Sequence, residues 1–223
     1  MVVSNAASAV GEDEAVARRD RSHARLNLEG VRINAGLPVI ETRETVVAPS
    51  ADAVLRRYFA LMLVTHRALA GDPKLSGALR AKFEDRVAFS PRELAFFDDP
   101  APSARDITQF SWACEPAFPM AWALGQIEVL GRPDQECDLD ALAAKTLDDG
   151  GRTLAAIAAL RSIDEILDEA DLIYRYHWAV RQAGLDGDPD PAGLNGGVVM
   201  ERHRGLNWLI GYEAEWDEVT TDT

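Results

Sequence analysis

The sequence predicts a mostly α fold, a single-domain helical bundle with a minor strand or hairpin near the N-terminal part. Three observations predict it. Apolar residues recur at three- and four-residue intervals in several segments, helix start signals precede them, and glycine–proline clusters separate them. With 223 residues, 47% of them hydrophobic, the chain can build one substantial core.

Residues 1–17 are small, polar or acidic and read as a disordered leader, followed by one helical domain over residues 18–223. Residues 18–30 read as a short helix, Gly36-Leu37-Pro38 as a break, and residues 39–47 as a short extended segment. Ser50 can cap a helix over residues 51–70, where Val54, Leu55, Tyr58, Leu61, Met62 and Thr65 share a face. Ser90-Pro91-Arg92-Glu93 supplies a capping serine, a proline at the first helical position and the glutamate of a capping box. Residues 107–130 read as a longer helical region distorted by Pro116 and Pro119. A short helix follows over residues 138–147, then a turn at Asp149-Gly150-Gly151. Ser162-Ile163-Asp164-Glu165 is a second capping box, opening a helix to about residue 183 with Gly184 as its stop. Residues 187–197 are rich in glycine, proline and aspartate and read as a loop. The last helix is expected over residues 198–214, with the tail at residues 220–223 tied down against the helical body.

The net charge of −14 is unevenly placed. Residues 1–110 carry 15 acidic and 15 basic side chains, whereas residues 111–223 carry 22 and 8. Such a surface repels nucleic acid and anionic membrane and steers a basic partner. The plain alternative is that it only aids solubility. No apolar run approaches the roughly 20 residues of a membrane span, and the N-terminus lacks the basic and apolar regions of a secretory signal. Cys114 and Cys137 have no metal or redox spacing. They read as buried free thiols, which with the rest implies a cytoplasmic protein.

The most informative segments are residues 161–181 and 198–223, which hold three of the five tryptophans and two of the four histidines. At 100° per residue, Ile163, Ile166, Leu167, Ala170, Ile173, Tyr174 and Trp178 share one face, with His177 in its middle and Arg181 beside it. Asp171 and Arg175 form an i,i+4 pair of the favourable order. On the last helix Val199, Leu206 and Ile210 share a face with His203; Asn207 lies one turn on, and Glu201 and Arg202 flank it. Packing the two faces together places both histidines inside. Histidine beside a carboxylate can do acid–base work or bind a metal, and a hydrogen-bonded network that fixes helix register is the plain alternative. There is no H-E-x-x-H, nucleophile elbow, phosphate loop or dinucleotide fingerprint, so neither a metal nor a cofactor is assigned. Glu115, set among Trp112, Phe118, Met120 and Trp122, is expected to be buried and paired with an arginine.

Several of these residues form longer patterns. They are Trp112-x-x-Glu115, Trp122-Ala123-Leu124-Gly125, and the run from Glu165 through Asp171, Tyr174, Arg175 and His177 to Ala179. Glu201-Arg202-His203, Leu206-Asn207-Trp208-Leu209 and the closing Trp216-Asp217-x-Val219-Thr220-Thr221-Asp222-Thr223 complete the set. Over about residues 20–223 the chain resembles the bacterial domain of unknown function 4272 family. Gly205 departs from the alanine expected there, a change read as softening the helix. The resemblance implies a fold unit and carries no activity or catalytic residue.

Three functions stay open. The first is a binding or regulatory module whose acidic face meets a basic protein partner, an immunity-type antagonist being one form of it. The second is an enzyme or ligand-binding protein. Its candidate catalytic residues are His177, His203 and Glu201, and its candidate ligand-binding residues are Asp171, Arg175, Arg181, Arg202, Asn207 and Glu115. The third is a module whose polar cluster only maintains the fold. The sequence does not decide whether the chain is an enzyme, nor its oligomeric state.

Overall fold

The helix opened by Ser50 is the axis of one half of the molecule. In this computed structural model, which describes residues 3–147, 149–188 and 191–223 (side chains from residue 11, except residue 145), it is α2, Ala51–Ala70. Ser50 Oγ accepts from the Ala53 amide, and Gly71 ends the helix in the left-handed conformation at φ 65°. Every residue from Tyr58 to Val64 is buried, so this stretch has no solvent face. Helices α3 (Pro73–Ala81), α4 (Pro91–Asp98), α5 (Ala104–Ser111) and α6 (Cys114–Ala123) surround it. Helices α7 (Leu139–Thr146) and α8 (Arg152–Ile157) follow, and the Tyr58 hydroxyl bonds the Thr146 hydroxyl of α7 at 2.7 Å.

The other half is built on α9 (Ile163–Asp186) and α10 (Gly196–Leu209), with α10 packed between α6 and α9. Helix α1 (Val3–Leu28) lies along α9. A 3-10 turn, Trp216–Glu218, closes the chain. A single hydrophobic core joins both halves. Among the described residues no helix is long and apolar enough to cross a membrane.

Both capping boxes form as expected, at Ser90 with Glu93 and at Ser162 with Glu165. Other boundaries differ for physical reasons. Residues 3–17, expected as a disordered leader, are the first part of α1. Its buried side is Gly11, Ala15, Arg18, Ser22 and Leu26, a helical spacing carried by small and charged residues that apolar periodicity does not register. The expected strand at residues 39–47 does not form, and the described residues contain no strand. Thr42 and Thr45 close a turn there, and arginine side chains bond the nearby carbonyls: Arg18 that of Glu41 at 2.9 Å and Arg175 that of Pro38 at 3.2 Å.

The region expected as one helix over residues 107–130 divides into α5 and α6 around Trp112 and Ala113. Restarting at Cys114 puts Pro116 in the first turn of α6, where an amide has no intrahelical partner to lose. Helix α9 runs on to Asp186 and ends at Gly187 rather than Gly184. Helix α10 stops at Leu209 rather than near residue 214, because Gly211 turns left-handed at φ 71° and the Tyr212 amide returns to the Asn207 carbonyl.

Gly205 has a stronger role than softening α10. A Cβ at this position would lie 2.5 Å from the Pro116 carbonyl oxygen and 2.8 Å from Pro119 Cγ. The absent side chain lets α10 sit against the backbone of α6. Gly184, in the last turn of α9, has nothing within 4 Å of its would-be Cβ. We therefore expect Gly205→Ala to destabilise the protein by about 1–3 kcal/mol, the usual cost of overpacking. Gly184→Ala should instead stabilise it by about 0.5–1 kcal/mol. Urea unfolding of the two variants checks both signs.

Candidate functional site

The seam between α9 and α10 holds the two histidines that the helical faces predict. His177 and His203 are 4% and 2% exposed, and their Nδ1 atoms are 2.9 Å apart. One Nδ1 must donate and the other accept, so the pair cannot hold protons on both. Asn207, one turn further along α10, neighbours the His203 ring. Asn207 Nδ2 in turn donates to the Thr220 carbonyl at 2.8 Å. The His177–His203 bond joins α9 to α10, and the Asn207–Thr220 bond joins α10 to the C-terminal tail.

The same burial keeps the rings uncharged. Desolvation, with the positive Arg181 nearby, lowers the His177 pKa to about 4. Desolvation, with His177 nearby, lowers that of His203 to about 3. At neutral pH this is a neutral hydrogen-bonded pair.

The other sequence candidates separate into distinct groups. Asp171 and Arg175, 0% and 1% exposed, form a two-pronged pair at 2.8 and 2.7 Å. Arg175 also reaches Pro38 O and donates to His23 Nε2 at 3.4 Å. It ties α1 and the segment after it to α9. Glu115 is buried and paired with an arginine, as the sequence suggested: Arg202 Nε donates to its Oε2 at 3.1 Å. Glu115 Oε1 accepts the Cys137 amide at 2.6 Å. Arg202 also bonds the Gln135 carbonyl and lies 4.5 Å from the Phe118 ring centre. Arg181 is exposed. Glu201 joins neither histidine by a hydrogen bond among the described residues, and burial raises its carboxyl pKa.

A cleft of about 210 Å³ opens beside His203 and Asn207. Residues 38–41, Tyr174, Tyr212 and Asp222 complete most of its wall. Glu41 and Asp222 are its carboxylates, and no lysine or arginine lines it. Three larger hollows, of about 400, 490 and 260 Å³, contain residues of both signs: Arg56 and Arg57 with Asp52 and Glu215, Arg18 and Arg43 with Glu14, Glu44 and Asp164, and Arg92 with Asp99 and Asp106. Cations there already have acids to meet; Arg43 pairs with Asp164 and Arg57 with Glu93.

The description "Domain of unknown function (DUF4272)" belongs to the family model that matches residues 18–219, most of the chain. The chain belongs to the DUF4272 family. No curated protein and no solved structure matches it. The match bears on the fold unit and not on a chemistry.

Two arrangements exist only in the fold and are not visible in the sequence. Glu41 and Asp222 come from opposite ends of the chain, and only the fold joins them in one cleft. Cys114, Glu115 and Cys137 cluster with one candidate ligand atom each within 4.8 Å. Their spacing gives no hint of this; the apolar setting of Glu115 was the one available signal.

The histidines predict an acid sensitivity. All four have lowered pKa values, burial being the leading cause. Between pH 6.5 and the folded values the unfolded chain binds more protons than the folded one. Their contribution is therefore complete above about pH 6.5 and is lost as pH falls. Glu93, Glu169 and Glu201 have raised pKa values and act in the opposite sense. We expect Tm to fall from pH 7 to pH 5 in a thermal-melt series, with His203 contributing about 2 kcal/mol of that loss. The slope should be shallower in His203→Gln, and an unchanged slope would contradict the assignment.

Proposed function

We propose that this chain is a binding protein whose cleft beside His203 receives a basic side chain from a protein partner. The observation that carries the reading is the composition of the cleft, with Glu41 and Asp222 as carboxylates and no cation among its walls. Tyr174 and Tyr212 add aromatic faces that favour a lysine or arginine head group. Its volume of about 210 Å³ is below the roughly 300–1,000 Å³ of drug-sized pockets and suits one long side chain. The excess charge of residues 111–223 acts at longer range, drawing a basic partner before contact. An antagonist of a basic toxin or nuclease fits this reading.

A catalytic use of the same seam is weaker. Acid–base work requires a nitrogen that exchanges its proton in the cleft. The Nδ1 atoms of His177 and His203 are bound to each other, and burial keeps both rings neutral at pH 7.

Titration calorimetry with a short oligo-arginine peptide, an oligo-lysine peptide and an oligo-glutamate control tests the proposal. Wild-type protein should bind the basic peptides, and more weakly as salt rises. Glu41→Gln with Asp222→Asn should weaken binding at least about tenfold, or 1.4 kcal/mol. Glu136→Gln with Asp140→Asn, which removes the same charge outside the cleft, should change it far less. Equal losses in the two double variants would reduce the effect to net charge and overturn the cleft.

A further inference from the structure

Cys114 is the first residue of α6, and Cys137 immediately precedes Asp138, the cap of α7. Distant in sequence, their sulfurs lie within 4.8 Å of each other and of a Glu115 carboxylate oxygen. Both residues are half-buried, within reach of small solutes. We propose that Cys114 and Cys137 are a reactive thiol pair that closes reversibly to a disulfide. Closing that bond brings the sulfurs from within 4.8 Å to roughly 2 Å.

The surroundings divide the labour between the thiols. The neighbouring Cys114 thiol, burial and the Glu115 carboxylate together disfavour a thiolate at Cys137. Cys114 also stands at the start of a ten-residue helix, where amides and the helix dipole favour a thiolate. Cys114 is therefore the attacking sulfur and Cys137 the resolving one. With a low-molecular-weight disulfide as oxidant, the Cys114 thiolate attacks one of its sulfurs and expels a thiolate. Cys137 then loses its proton, attacks Cys114 in the mixed disulfide and expels the second thiolate. The protein loses two electrons and two protons, and the oxidant becomes two thiols.

The segment carrying Cys137 is already held for closure. Asn195 N donates to Pro133 O at 3.0 Å, Arg202 to Gln135 O at 3.2 Å, and the Cys137 amide to Glu115. The same contacts disfavour a metal. Each Glu115 oxygen has a donor, and the Arg202 guanidinium beside it repels a cation.

The test incubates the native full chain in glutathione buffers of graded oxidised-to-reduced ratio, with intact-mass and unreduced peptide analysis. Wild type should lose two hydrogens in mass and yield one linked peptide pair, Cys114 to Cys137, restored by reducing buffer. Cys114→Ser and Cys137→Ser should each stop at one bound glutathione, several-fold faster at Cys114 than at Cys137. Four outcomes overturn the proposal: adducts on both cysteines without a link, links between chains, thiols unchanged in the most oxidising buffer, or tight zinc retention against a chromogenic chelator that protects both thiols.

Discussion

The close crossing of α10 over α6 at Gly205 is the contact on which the rest of the site depends. Because no Cβ separates the helices there, neighbouring α10 residues reach partners on three sides. Arg202 meets Glu115 on α6, His203 meets His177 on α9, and Asn207 meets the Thr220 carbonyl of the tail. Each needs a buried partner in register. A one-residue slip of α10 would leave an arginine without its carboxylate, which costs far more than an intact pair contributes. The pairs Arg202–Glu115, Arg175–Asp171 and Arg57–Glu93 thus select one arrangement of helices more than they add stability.

This selection gives ionisable groups deep in the molecule a structural task. Arginines 18, 175 and 202 donate to backbone carbonyls of segments that lack secondary structure of their own. They take the place of a neighbouring strand. The cleft follows from it: residues 38–41, pinned by Arg18 and Arg175, form one wall, and the tail bonded to Asn207 brings Asp222 to another.

Much of the frame was legible in the sequence. Ser90 with Glu93 and Ser162 with Glu165 mark helix starts through local bonding, and local bonding is what a sequence displays. The faces of α9 and α10 likewise placed His177 and His203 inside. What the sequence did not display depends on distance in space. Before Leu26 the buried side of α1 is made of Gly11, Ala15, Arg18 and Ser22, which apolar periodicity does not reveal. Gly205 appears only as a poor helix former until Pro116 is placed beside it. Cys137 reaches Cys114, and Glu41 reaches Asp222, only through the fold.

The histidine pair is a neutral structural coupling, and the cleft beside it is the proposed place for binding. Nitrogen-15 NMR of the histidine side chains across a pH titration tests this most directly. At pH 7 one of the two rings should carry its proton on Nδ1 and the other on Nε2, with neither charging until below pH 5. A ring at either position that titrates near its ordinary 6.5, or exchanges between tautomers at pH 7, would contradict it and return the seam to the candidates for acid–base chemistry.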